Sequence, residues 1–228
     1  MIEDTPLLKI RRDFPRPAPA DVARFAGLQT GFIVDAMGGA GALDQRIKPV
    51  SDARTFCGVA LPAYAGPADN LAVFGAITVA TPGDILLCAS DAYMGCAVTG
   101  DLLLGMLKNT GVGAFVTDGC VRDIAGIRAV GLPCFAAGVT PNSPVRHGPG
   151  TVGLPIVIGG VAVSPGDVVV GDEDGVVVVP FARIAETLAR LPAVQAAEAT
   201  YDAKVKAGLR LPDFIKKLVD AGRFENVD

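Results

Sequence analysis

The sequence predicts a single α/β domain followed by a helical tail, and three observations predict it. Between Ile85 and Gly138, strand-like apolar runs alternate with helix-like ones across short links, the pattern of parallel βαβ units. From Thr151 to Pro180 the chain turns Val-rich and strand-like. From Phe181 onward the apolar spacing becomes helical. The corresponding division is a core over residues 1–180 with an amino-terminal helical segment, and a tail over 181–228 suited to packing on a neighbouring subunit.

Taken in order, Val22, Phe25, Ala26, Ile33, Ala36 and Met37 suit an amphipathic helix from Ala18 to about Met37, broken near Gly31 and ended by Gly38 and Gly39. A mainly β section follows, with strands over Thr55–Ala65 and Ile85–Ser90. The run from Gly100 to Asn109 reads as a helix with a stop at Gly111, then a strand over Gly113–Asp118, a helix from Arg122 with a stop at Gly131, and a strand over Pro133–Gly138. Two Val-rich strands flank the acidic turn "GDEDG", a hairpin signal. In the tail, Pro192 is expected to bend the helix.

Half of the 228 residues are hydrophobic and only 19% are charged, against about 25% in an ordinary soluble domain. Surplus apolar surface of that kind predicts burial between subunits, hence a homo-oligomer. The net charge is −4 and basic residues cluster only at "KIRR", so no electrostatic footprint for nucleic acid is present. The longest uncharged stretch, Pro149–Gly166, is broken by Gly and Pro and predicts strands, not a membrane span. The first residues lack the apolar segment of a secretory signal, and a cytoplasmic protein is expected. Five cysteines without a C-x-x-C pair read as buried free thiols.

Candidate chemistry concentrates in "TDGCVRDIAG", Thr117–Gly126. Arg122 and Asp123 stand together where an apolar strand ends. An acidic residue opening a helix complements the helix dipole, and Arg122 beside it could be a plain surface charge. At the carboxyl end of a parallel strand, where ligands collect in such sheets, the pair also suits a 2-oxo acid with Mg²⁺: the guanidinium offers a planar fork and the carboxylate a hard oxygen ligand. Asp101 opens the preceding helix, where it could merely stabilise the first turn. Successive βα turns lie close together, however, so Asp101 and Asp123 could face one pocket. The amides of Gly100, Asp101, Leu102 and Leu103 could then receive a substrate carboxylate.

The segment "GDLLLGMLKNTGVGAFVTDGCVRDIAGIRAVGLPCFAAGVTPNSP", with "SPGDVVVGDEDGVVVVP" beyond it, resembles the regulator of ribonuclease activity A-like family. The likeness spans about Thr30 to Ala203. Length and helical tail point within that family to the class II 4-hydroxy-4-methyl-2-oxoglutarate/4-carboxy-4-hydroxy-2-oxoadipate aldolases. Its specific part is an Asp, twenty residues, then Arg-Asp. The resemblance implies a layered α/β/β/α fold of the swivelling-domain type and a trimer, or dimer of trimers, with sites between subunits. It implies Mg²⁺ or Mn²⁺ held directly by Asp123, with Asp101 and a neighbouring subunit's Glu198 reaching it through water. Arg122 would contact the carboxylate and keto oxygen of the pyruvyl unit, with the amides near Leu102 and Leu103 on the same carboxylate. The implied reaction releases pyruvate, with oxaloacetate decarboxylation as a companion activity.

The chain departs from the family pattern at Gly126, where a Glu or Asp usually stands three positions after the metal-binding Asp. Loss of such an outer carboxylate typically lowers metal affinity or activity about 10- to 100-fold. A function from another class therefore stays in view, a non-enzymatic regulator that binds ribonuclease E. Other signals point to structure: His147 is the single histidine and suits a loop role. "GGAGALD" follows a helix and lacks dinucleotide-loop spacing, and "GDEDG" lacks the later Glu of a calcium loop.

Overall fold

The computed structural model describes residues 6–227. Its strands are β1 (Leu8–Ile10), β2 (Lys48–Pro49), β3 (Phe56–Tyr64), β4 (Asp84–Ala89), β5 (Ala97–Thr99), β6 (Ala114–Val121), β7 (Cys134–Val139), β8 (Gly150–Val152), β9 (Ile156–Ile158), β10 (Val161–Val163), β11 (Val168–Asp172) and β12 (Gly175–Val179). Its α-helices are α1 (Pro19–Ala23), α2 (Thr30–Ala36), α3 (Leu71–Ile77), α4 (Asp101–Asn109), α5 (Ile124–Val130), α6 (Ile184–Lys206) and α7 (Asp213–Asp220).

Strands β3, β4, β6 and β7 are parallel and adjacent, as the alternating pattern predicts. The sheet order is β1-β8-β3-β4-β6-β7-β2, with β5 beside β6. Strand β3 splits its outer edge: Phe56–Val59 pairs with β11, and Ala63–Tyr64 with β8. That division lets the β11–β12 hairpin fold over the parallel strands as a second layer.

The period of two along each strand decides which layer a residue serves. Leu86 and Cys88 of β4, Phe115 of β6 and Cys134 of β7 face a cluster closed by Ala72 and Val73 of α3, Leu104 and Leu107 of α4, and Ile127 of α5. Ile85, Leu87, Val116 and Phe135 face the other way and meet Ile158 of β9, Val169 of β11 and Val178 of β12. On the outer side of the hairpin, Val168, Val170, Val177 and Val179 are covered by Phe25, Ile33, Ile184, Leu188 and Leu191. The result is the α/β/β/α layering and carboxyl-terminal helical tail implied by the family resemblance.

Several boundaries differ from the sequence expectations. The amino-terminal helix is two helices, and the break lies between Ala23 and Thr30, ahead of Gly31. Asp172, at the end of β11, explains the second start: its carboxylate accepts hydrogen bonds from the Thr30 N–H at 2.8 Å and hydroxyl at 2.9 Å. The "GDEDG" stretch is the expected hairpin turn, with Asp172 opposite Gly175. Helix α3 interrupts the section expected to be mainly β. Helix α6 is continuous through Pro192, although the proline removes one internal hydrogen bond. Beyond Leu191 no described residue is buried. All five cysteines are free, four of them buried.

Candidate active site

Strand β6 runs three residues past its expected end, to Val121, so Asp118 sits inside the strand. Its carboxylate is consumed there, accepting hydrogen bonds from Ser90 N at 2.7 Å and Ala92 N at 3.1 Å. Only Arg122 and Asp123 lie beyond the strand, and α5 begins at Ile124, later than expected. Asp123 occupies the left-handed region at φ 60°, ψ 47°, and makes no side-chain cap for α5. This conformation is disfavoured for most L-residues, though Asp tolerates it better than most, and the carboxylate lies beside Gly100 and the Arg122 guanidinium.

Arg122 is held by its surroundings. Its backbone N–H donates to Thr99 O at 3.0 Å, tying β6 to the end of β5. Its Nε lies 3.2 Å from Asp123 Oδ2, and its Nη1 donates to Ser143 Oγ at 2.5 Å. These contacts engage Nε and Nη1 and leave Nη2 to donate to a bound acid.

Asp101 is the first residue of α4, with Gly100 at the cap position. Its Oδ1 accepts the Leu102 N–H at 2.7 Å, so that amide is already engaged and differs from the free anion donor expected from sequence. Two glycines make room for the carboxylates. A Cβ on Gly100 would lie 2.5 Å from Asp123 Oδ2, and a Cβ on Gly126 would lie 2.7 Å from Asp101 Cγ and overlap its carboxylate. The carboxylate missing at position 126 thus corresponds to space filled by Asp101.

Gly100, Asp101, Leu102, Leu103, Arg122 and Asp123 all line one open cleft of about 220 Å³. Glu198 does not line it; this residue is exposed on α6, past the part of that helix that packs on the hairpin. Sequence reasoning missed Asn70, Phe74, Ser143 and Arg146, which also line the cleft. Arg146 stacks over the Phe74 ring at 5.1 Å. Asn70 is 4% exposed, and its Oδ1 is the one buried side-chain polar atom among the described residues without a hydrogen-bond partner. Such an atom costs about 1–3 kcal/mol unless a ligand satisfies it.

The donor set fits a hard divalent cation. Asp101 and Asp123 offer carboxylate oxygens to the same cleft, each seated against a residue with no Cβ. No three His, Cys, Asp or Glu side chains gather into a metal cage among the described residues. Mg²⁺ does not require one, because it commonly keeps several waters and takes one or two carboxylates.

Comparison with known proteins agrees with this architecture. Residues 30–178 match the RraA-like family model, described as Aldolase/RraA. A protein of Halalkalibacterium halodurans with the provisional name 4-hydroxy-4-methyl-2-oxoglutarate aldolase is 38% identical over 159 residues, 70% of this chain and 76% of that protein. Among solved structures, an uncharacterized protein from Pseudomonas syringae pv. tomato superimposes with a TM-score of 0.74 at 25% identity, covering 86% of this chain and 96% of the other. The RNA-processing inhibitor RraA from Thermus thermophilis superimposes with a TM-score of 0.62 at 26% identity, covering 67% and 93%. With the family model matched over most of the layered core and both the fold and a relative's sequence in agreement, the chain belongs to the RraA-like, Aldolase/RraA family.

Proposed function

We propose that this protein is a class II, divalent-metal-dependent aldolase that cleaves 4-hydroxy-4-methyl-2-oxoglutarate, or a related 4-hydroxy-2-oxo acid, to pyruvate. The observation that carries the proposal is the placement of Arg122 in one cleft with Asp101 and Asp123. The provisional name of the Halalkalibacterium relative supports the substrate class.

Asp123 would hold Mg²⁺ or Mn²⁺ directly, and Asp101 through water. Glu198 from a neighbouring copy in a trimer or hexamer would complete the water shell. Bound there, the cation would supply Lewis acidity toward the 2-keto group. Arg122 binds the pyruvyl carboxylate and keto oxygen, with Nη2 the donor its own neighbours leave unengaged. As the C4 hydroxyl loses its proton, the C3–C4 bond breaks and its electron pair moves into an enolate. The negative charge develops on the oxygen facing Arg122, where a preoriented donor is most effective. Asp101 orders the water that carries the proton away and returns one to C3, completing pyruvate. Loss of carbon dioxide from oxaloacetate yields the same enolate, so decarboxylation belongs to the same site.

The test measures pyruvate released from 4-hydroxy-4-methyl-2-oxoglutarate and from oxaloacetate, with Mg²⁺, with chelator, and with Arg122→Ala. The expected result is metal-dependent release that chelator abolishes and Arg122→Ala lowers about 10²- to 10³-fold in kcat, the scale of losing one donor to a developing oxyanion. Absence of metal-dependent release from both acids refutes the proposal. The likeness to the Thermus RNA-processing inhibitor supports a second function, protein binding of the ribonuclease E regulator type. Co-purification with a ribonuclease, together with no pyruvate release, would favour it.

A further inference from the structure

Asp69 is buried, does not line the cleft, and joins two segments far apart in the sequence. Its Oδ1 accepts the Leu71 N–H at 2.7 Å, at the start of α3. Its Oδ2 accepts the N–H groups of His147 at 2.6 Å and Gly148 at 3.0 Å. Backbone bonds continue the seam: Asn70 N donates to Val145 O at 3.1 Å, and Val145 N to Ala68 O at 2.8 Å. Asn70 and Arg146, one from each side of this seam, both line the cleft.

Those two groups are also uncommitted. Asn70 Oδ1 lacks a partner, and Arg146 rests on the Phe74 ring without an ion pair among the described residues. Arg122 is already turned toward Asp123 and Ser143. A dicarboxylic oxo acid held by Arg122 at its pyruvyl end presents a second carboxylate that needs another cation, and Arg146 is the other guanidinium lining this cleft.

We infer that Asp69 is a positioning residue for substrate choice: it clamps the 145–148 segment to the start of α3 so that Arg146 meets the second carboxylate of a dicarboxylic substrate. The inference rests on the proposed aldolase reaction for its substrate class. Asp69→Asn keeps the size of the side chain but turns an amino group toward backbone donors on one side of the seam, leaving them unpaired.

The test compares wild type, Asp69→Asn, Asp69→Ser and Arg146→Ala on two acids with the same pyruvyl half. One is 4-hydroxy-4-methyl-2-oxoglutarate; the other, 4-hydroxy-2-oxopentanoate, lacks the second carboxylate. Each variant is expected to raise KM for the diacid about tenfold or more, with kcat within about threefold, and to leave kcat/KM for the monoacid within about twofold. Equal losses on both acids, or an unchanged KM for the diacid, overturn the assignment. If Asp69→Asn fails to fold, Asp69→Ser, which retains one acceptor, supplies the same comparison.

Calorimetric binding of 2-oxoglutarate against 2-oxobutyrate needs no turnover and separates the two proposals. Preferential diacid binding that the Asp69 variants abolish, in a protein that forms no pyruvate, refutes the reaction and retains the clamp. Pyruvate formation with equal affinity for both acids retains the reaction and overturns the clamp.

Discussion

The Asp101 side chain lies against the backbone of Gly126, filling the space that any side chain at position 126 would need. Helix α4 and helix α5 thereby meet at a carboxylate and a residue without a Cβ. Replacing Gly126 by Ala sets two effects against each other. Helix propensity favours Ala by about 1 kcal/mol, whereas the added methyl pushes Asp101 from its place. Thermal stability should therefore change little, while the Mg²⁺ concentration giving half-maximal pyruvate release rises about tenfold. An Mg²⁺ titration of Gly126→Ala beside a melting curve checks both halves.

Asp123 offers a way to separate folding from chemistry. Its left-handed backbone costs an ordinary L-residue about 1–2 kcal/mol, a strain that Gly relieves at an entropic cost of about 0.5–1 kcal/mol. Asp123→Gly should melt at or slightly above the wild-type temperature and release no pyruvate above background. A variant that retains metal-dependent activity would remove Asp123 from the proposed metal site.

Far from the cleft, Arg16 anchors the amino-terminal segment to the sheet. Its Nη1 and Nη2 donate to the buried Asp84 carboxylate at 2.5 and 3.0 Å. Arg16→Ala would leave that carboxylate uncompensated except for the Thr81 N–H at 2.9 Å. The expected cost is about 2–3 kcal/mol, below the about 3–5 kcal/mol of a fully buried pair because Arg16 keeps a third of its side chain in solvent. Denaturant melts should show the loss, with the metal requirement unchanged.

Burial raises the cysteine thiols, with Cys57 pushed up to about 11 and Cys88 and Cys134 raised in the same direction. In the unfolded chain a thiol titrates near about 8.5. The folded state therefore favours the neutral form, and its advantage is complete below the unfolded value. As pH climbs from about 9 toward 11, the unfolded chain sheds protons first and stability falls. Denaturation midpoints should decline across that window, and Cys57→Ser should flatten part of the decline. At pH 8 the native protein should react slowly with a thiol reagent, while the unfolded protein reacts at all five positions.

What the sequence by itself determined is the local grammar of the βα units. Helix α4 and its Gly111 stop, the strand before Arg122, the Gly131 stop and the Val-rich hairpin were legible because hydrogen bonding and side-chain direction repeat over neighbouring residues. Helix α3 was not legible: "LAVFGAI" carries no polar face, since four of its seven residues are buried, and periodicity cannot distinguish such a run from a strand. The break in the amino-terminal helix depends on Asp172, a residue from the far end of the chain. Likewise, Asp101, Arg122 and Asp123 were visible as charges at strand-to-helix links, but only the tertiary structure decided that they share a cleft. It also brought Asn70, Ser143 and Arg146 into that cleft, beside the seam at Asp69, and showed Gly126 to be the space that Asp101 fills. Such relations arise from packing between layers, which brings together residues that no spacing along the chain connects.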